Sequence, residues 1–353
     1  MNRNKILANQ VFFTAIDNFC IEKFESLNTS GKDRFIKPSS NSSEVLIRAE
    51  LATPFILSNG KAIQPFVFEN EKFFFCVNFT DISGDNIQDM IEEVDSNGFF
   101  TLSVNNLKLR PVVTWHEIVN IVDVGSIGDQ DYDGHELNQI QKLYDPARLF
   151  RFIGAEEETF WFCILHLCLE EAYLSNSWIE EPLAKDLSAF GGLDYDNVPY
   201  EIICRGVFDS TPRGLFISLY QCLEGLYSRK KALSIINEFD LKDNQGRPLK
   251  WGDVSIKLEN LLGWRPNELT SLSELLELCV TSDHCRLLES MDNTSHVDEN
   301  KIHEKAAKNL YKLRNSLVHF RPATVLQANM ESINWNDLCR AMVGYIFHIY
   351  EIS

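Results

Sequence analysis

Two hydrophobic rhythms divide this chain. In residues 1–25, Phe12, Phe13, Ile16, Phe19 and Cys20 recur at helical spacing. A Ser-, Asn- and Lys-rich loop over 26–44 follows, and the period then shortens. Residues 45–51 are apolar and partly β-branched, as a strand would be. Segments 55–57 and 63–68 flank Ser58-Asn59-Gly60, and Asn-Gly is a strong hairpin signal. Residues 73–79 are a dense aromatic and β-branched run. The runs 99–104 and 107–113, separated by Asn105-Asn106, predict a further strand pair, preceded by a short amphipathic helix over 87–94. Residues 45–125 therefore read as a small, mostly antiparallel β region, closed by an acidic loop over 128–136.

From about residue 137 the strand signals nearly vanish. Segments 157–175, 213–239, 271–290, 301–320 and 335–350 read as helices, and 240–252 as a loop. Leu215, Leu219, Cys222, Leu223 and Leu226 keep helical spacing, as do Trp335, Leu338, Met342, Tyr345, Ile346 and Ile349. The expected fold class is α+β: a β-rich N-terminal domain over 1–150, a helical connecting region over 151–205, and an all-α bundle over 206–353.

Composition narrows the function classes. The 353 residues carry a net charge of −18, which argues against a broad basic grip on duplex nucleic acid and leaves room for a small basic pocket. The nine cysteines are odd in number, form no CxxC pair and sit mostly among apolar neighbours, so they read as small buried hydrophobes in a reducing cytosol. Cys163, His166 and Cys168 could hold a metal, but they lie inside the apolar run 160–169, where core packing is the stronger reading. Asp129, Asp131, Asp133 and Gly134 are spaced like the start of a calcium loop, yet the twelfth position is Ile140 rather than glutamate, which favours an acidic turn. Walker A, GxGxxG, HExxH and GxSxG patterns are absent. No metal or cofactor is expected. The first apolar segment is broken by Asn9, Gln10 and Asp17, and the longest apolar run is about half a bilayer span, so the expected setting is cytoplasmic without a membrane anchor.

The chemistry concentrates in residues 301–322. Ile302, Ala306, Leu310, Leu313, Leu317 and Phe320 form one apolar stripe of an amphipathic helix. Asp298 and Glu299 precede it, as the helix dipole favours, and Pro322 ends it by disfavouring helical geometry at Arg321. Lys301, Lys305, Lys308, Lys312, Arg314 and Arg321 face only Glu304 in opposition, a net +5 in an acidic chain. Such a helix is either a solvated face or a local phosphate site.

The run Tyr311-Lys312-Leu313-Arg314-Asn315-Ser316-Leu317-Val318-His319-Phe320-Arg321-Pro322 resembles the Rx4–6H signature of HEPN domains, including the polar residue after arginine. The helix over 213–239, with Tyr220 and Glu224, resembles the first long helix of that bundle, and the resemblance covers roughly 206–353. A β-containing region before such a bundle is similar to defence-associated proteins of the Apea-like kind. The resemblance implies a metal-independent endoribonuclease of an anti-phage or toxin system, acting on RNA as a homodimer and held in check by a regulatory or antitoxin partner. HEPN–nucleotidyltransferase pairs carry a modified tyrosine two positions after the histidine; here that position is Arg321.

The residue types suit that reaction. Histidine, with an ordinary pKa near ~6.5, can move a proton at neutral pH. Arginine presents a fork of donors to phosphate oxygens, and an asparagine can orient either group. The expected catalytic residues are thus Arg314, His319 and Asn315, with Lys308, Lys312 and Arg321 binding substrate and Glu224 and Tyr311 in support. On an ideal helix Arg314 and His319 stand about 140° apart, so one phosphate meets both only through helix distortion or a second protomer. Structural roles compete: Arg314 as the ion partner of Glu224, His319 as a helix-end histidine, Asn315 as a cap, Tyr311 as core. His284 and His303 read as surface residues. A non-catalytic scaffold binding RNA or a protein partner is the alternative function.

Overall fold

A computed structural model describes residues 5–24, 33–39, 41–57, 60–79, 87, 89–153, 157–174, 178–190, 199–209, 211–263, 265–292, 301–318, 330 and 332–351. The fold class is α+β: an antiparallel sheet within residues 50–152, then a mostly helical C-terminal region. The chain divides into two compact units between Cys163 and Ile164.

The first unit is built on strands β1 (Glu50–Leu51), β2 (Phe55–Ile56), β3 (Ala62–Phe68), β4 (Glu71–Val77), β5 (Ile91–Glu93) and β6 (Ala147–Phe152), in the order β1-β3-β4-β6-β5, with β2 also paired to β3. The β3–β4 hairpin turns on Glu69 and Asn70, both at positive φ, as a two-residue turn between right-twisted strands requires. Strand β4 is buried on both faces. Phe73 and Phe75 pack towards helix α3 (Asn97–Leu107), while Phe74 stacks on Phe150 and meets Phe160. Helices α1 (Lys5–Phe24) and α2 (Ser42–Arg48) contact α3 and share one aromatic core with it, including Phe12, Phe66, Phe99 and Phe100. Helices α4 (Trp115–Val122) and α5 (Leu137–Gln141) complete the unit before α6 (Glu157–Leu174).

Pro65 stands in the middle of β3, where it lacks the N–H a neighbouring strand needs. The edge is accordingly split: β1 pairs with Phe66 and Val67, β2 with Ala62 and Ile63. The buried Gln64 amide bridges the gap, donating to the Ala52 carbonyl at 2.8 Å and to the Pro65 carbonyl at 2.9 Å.

The second unit holds α7 (Glu181–Ala189), α8 (Tyr200–Val207), α9 (Pro212–Gly225), α10 (Arg229–Glu238), α11 (Trp251–Leu262), α12 (Glu268–Leu276), α13 (Thr281–Ser290), α14 (Ile302–Val318) and α15 (Trp335–Glu351). Helix α15 packs against α7, α9 and α13; α14 packs against α9, α12 and α13. At Gly344 a side chain would stand 2.5 Å from an Asp283 carboxylate oxygen, so α13 and α15 meet where glycine leaves room. Helices α10 and α11 pair around Ala232, Ile236 and Val254.

Several sequence expectations need correction. Residues 45–51 are not a strand: α2 occupies most of them and β1 only the last two. The runs 99–104 and 107–113 are not a strand pair. Helix α3 is buried along Asn97 to Val104, and packing on three sides outweighs the β preference of its aromatic and β-branched residues. The helix expected over 87–94 is replaced by β5, and β6 lies where no strand was expected. Its Arg148 and Arg151 are matched by Glu93 and Glu92 across the ladder, which lets a charged sequence extend the sheet. The helix over 213–239 is two helices, as is that over 271–290, and α11 begins inside the expected 240–252 loop. His284 is not a surface residue: it is buried, with Nδ1 2.9 Å from the Tyr345 hydroxyl.

Two measurements test this packing. Gln64→Met keeps the volume but removes both bonds donated by the amide and the one its oxygen accepts from Asn106, and is expected to lower unfolding free energy by about 1–3 kcal/mol in urea titration. Burial, with the nearby Arg34 charge, lowers the His135 pKa to about 4; burial, with His303, does the same for His284. Between ~6.5 and that value the unfolded chain binds the more protons, so stability is present above pH ~6.5 and lost as pH falls, by up to about 1.4 kcal/mol per pH unit per histidine. Urea midpoints measured from pH 7 to 4.5 should fall, and less steeply in His284→Asn.

Candidate functional site

Helix α14 buries Ile302, Ala306, Ala307, Leu310 and Leu313 against its neighbours, close to the stripe expected from its spacing. Lys301, Lys308 and Lys312 are exposed on its other side, and Lys305 is half-buried. Arg314 follows Lys312 by two residues, about 160° around the helix. Its side chain therefore leaves the lysine face and reaches the junction of α14 with α9 and α12.

There the guanidinium is surrounded. Nη2 donates to Glu224 Oε1 at 2.7 Å, and Nη1 donates to Asn315 Oδ1 at 3.1 Å. Glu268 Oε2 stands 3.7 Å from Nη1. The Tyr220 ring centroid lies 5.7 Å from the guanidinium carbon, within cation–π range. Tyr220 is itself fixed, because the Tyr227 hydroxyl donates to its oxygen at 3.0 Å. Tyr227 lies in the turn between α9 and α10, where its N–H donates to the Glu224 carbonyl at 3.2 Å.

The arginine side chain is 20% exposed, Glu224 29% and Glu268 44%. Partial burial works against the guanidinium charge, but Glu224, Glu268 and Tyr220 outweigh it and raise its pKa above the ordinary arginine value. Burial also pushes the Tyr220 phenol up to about 12, so it stays protonated at neutral pH. One cation faces two carboxylates, a local balance of −1. Among the described residues, two of its five N–H groups are hydrogen-bonded and three are not.

Compared with models of protein families, with curated proteins and with solved structures, the chain shows no match. The reading of this site thus rests on its own geometry.

The structure brings Arg314, Asn315 and Glu224 together. It places Lys308 and Lys312 on another face of α14, and the half-buried Tyr311 makes no hydrogen bond or ring contact with the cluster. His319 and Arg321 lie outside the described residues. Sequence reasoning assigned no role to Tyr220 or Glu268. Tyr220 stands four residues before Glu224, hence on the same face of α9, which is a usable signal. Glu268 opens α12, where a carboxylate normally complements the helix dipole, so nothing local marks it as an arginine neighbour.

The other candidates have ordinary partners. Cys163 and Cys168 are buried in α6, and His166 Nε2 lies 3.0 Å from Glu170. Asp133 pairs with Lys37 at 2.8 Å, and Asp129 accepts from the Ser126 backbone at 2.8 Å. Among the described residues no group of three or more His, Cys, Asp or Glu side chains is placed to hold a metal, and no helix is long and apolar enough to cross a membrane.

Arg314→Met should leave the two carboxylates facing each other without their cation. The expected loss is about 1–2 kcal/mol in urea unfolding, modest because all three groups touch solvent. Arg314→Lys should restore only part of it, since an ammonium cannot serve Glu224 and Asn315 in one plane.

Proposed function

We propose that the chain is a metal-independent endoribonuclease of the HEPN kind, acting as a homodimer in anti-phage defence or as a toxin. The observation that supports it most is the fixed, solvent-reaching guanidinium of Arg314, clamped by Glu224 and Asn315 in the last turns of a helix that carries exposed lysines on another face. In this reading Arg314 neutralises the scissile phosphate. His319 takes the 2′-OH proton or delivers one to the departing 5′-oxygen. The new bond joins the 2′-oxygen to phosphorus and the P–O5′ bond breaks, giving a 2′,3′-cyclic phosphate and a 5′-hydroxyl. Asn315 holds the guanidinium in plane. Lys308, Lys312 and Arg321 attract the polyanion, whose long-range approach an acidic chain otherwise opposes. Two protomers meeting along α14 overcome the angular separation of Arg314 and His319. RNA is the substrate, and a regulatory or antitoxin protein is the partner that restrains cleavage.

A second reading is favoured by the same ion pairs. Because carboxylates occupy the Arg314 fork, the bundle can instead be a non-catalytic scaffold for RNA or protein, with Arg314 a structural tie.

Purified protein incubated with total RNA in EDTA separates the two. The ribonuclease reading expects defined cuts with cyclic phosphate ends, and a loss of about 10²–10⁴ in rate for His319→Ala with an unchanged circular dichroism spectrum. Cleavage and toxicity that survive replacement of both His319 and Arg314 would eliminate it. Sedimentation of the active species as a strict monomer would remove the shared cleft.

A further inference from the structure

We infer that Glu268 shields Arg314 from anions, and that an RNA phosphate binds by taking the place of Glu268 at Nη1 while Glu224 keeps its hold on Nη2. The identity of the anion rests on the ribonuclease reading; the shield rests on the geometry alone.

The two carboxylates are not equivalent. Glu224 bonds Nη2 at 2.7 Å and is the more buried. Glu268 stands 3.7 Å from Nη1, too far for a hydrogen bond, and its side chain is the most exposed of the three. Tyr220 closes one face of the guanidinium, and Asn315 accepts from Nη1. An incoming phosphate thus finds open N–H groups on Nε, Nη1 and Nη2, but also a second negative charge beside them. Two carboxylates against one guanidinium leave a local balance of −1, which repels it. Two unit charges about 4 Å apart in a water-like medium interact by about 1 kcal/mol, which is about fivefold in affinity. Glu268 is the group able to yield, being loosely held and at the first position of α12, with solvent to receive it. Glu224 is a positioning residue: without it the fork loses its one short charged bond.

A fluorescent single-stranded RNA carrying 2′-O-methyl groups, which cannot attack its own phosphates, tests this by anisotropy in EDTA at low salt. Glu268→Gln is expected to bind about fivefold tighter than wild type. Glu224→Gln is expected not to gain. In an Arg314→Gln background, Glu268→Gln should give no gain, because the shield works through the guanidinium. The inference is overturned if Glu268→Gln binds as wild type does, if the same gain appears without Arg314, or if none of these proteins binds. Parallel assays with unmodified RNA separate the two ideas. Tighter binding without any cleavage keeps the shield and removes the nuclease; wild-type cleavage with no effect of Glu268→Gln on affinity or rate does the reverse.

Discussion

A guanidinium brought to the junction of three helices has to be neutralised there, and the second unit is arranged around that requirement at Arg314. Glu224 from α9 and Glu268 from α12 converge on one cation from α14, so three segments distant in sequence meet at a single charge, the first held by a short bond and the second loosely. Asn315 sets the plane, and the protonated Tyr220 supplies an apolar face without adding charge. Such a cluster can serve as a tie or as an anion receptor. The difference lies in how firmly the second carboxylate is held.

The first unit meets a comparable constraint in its backbone. A proline in an inner strand leaves a carbonyl on the neighbouring edge segment, that of Ala52, without its usual donor. The sheet answers with a split edge and the Gln64 side-chain amide. In both units an unmatched polar group is satisfied from a distant part of the sequence, and its partner is recognisable only after folding.

This explains what could be read beforehand. Helices α14 and α15 show one apolar stripe with polar residues opposite, and the spacing alone located them; α1 was located by Phe12, Phe13, Ile16, Phe19 and Cys20, although its buried face also holds Asn9 and Asp17 and its exposed face Ile6, Leu7, Val11 and Ile21. Helix α3 is buried almost all round, its polar Asn97, Thr101 and Ser103 included, so no stripe marks it, and its β-favouring residues pointed the wrong way. Strand β6 was hidden by two arginines whose matching glutamates lie on β5, 55 and 59 residues earlier. At the site, Arg314, Asn315 and Glu224 were legible from a motif, from local charge and from the need of an arginine for a carboxylate. Glu268 was not, since its local context accounts for it fully as a helix-opening residue. The roles of His319 and Arg321 come from the motif, and both residues lie outside the described residues.

The interruption between α9 and α10 has an evolutionary corollary. Residues 226–228 look like a dispensable kink, yet they set the distance over which one phenol reaches back to brace another beneath the arginine. Inserting or deleting a residue there would swing Tyr227 away and unseat the aromatic floor. The connection between α10 and α11 instead packs Leu241 and Leu249 on the small core of those two helices, so its length answers to that core, while a lineage that keeps the aromatic floor keeps the length of the kink.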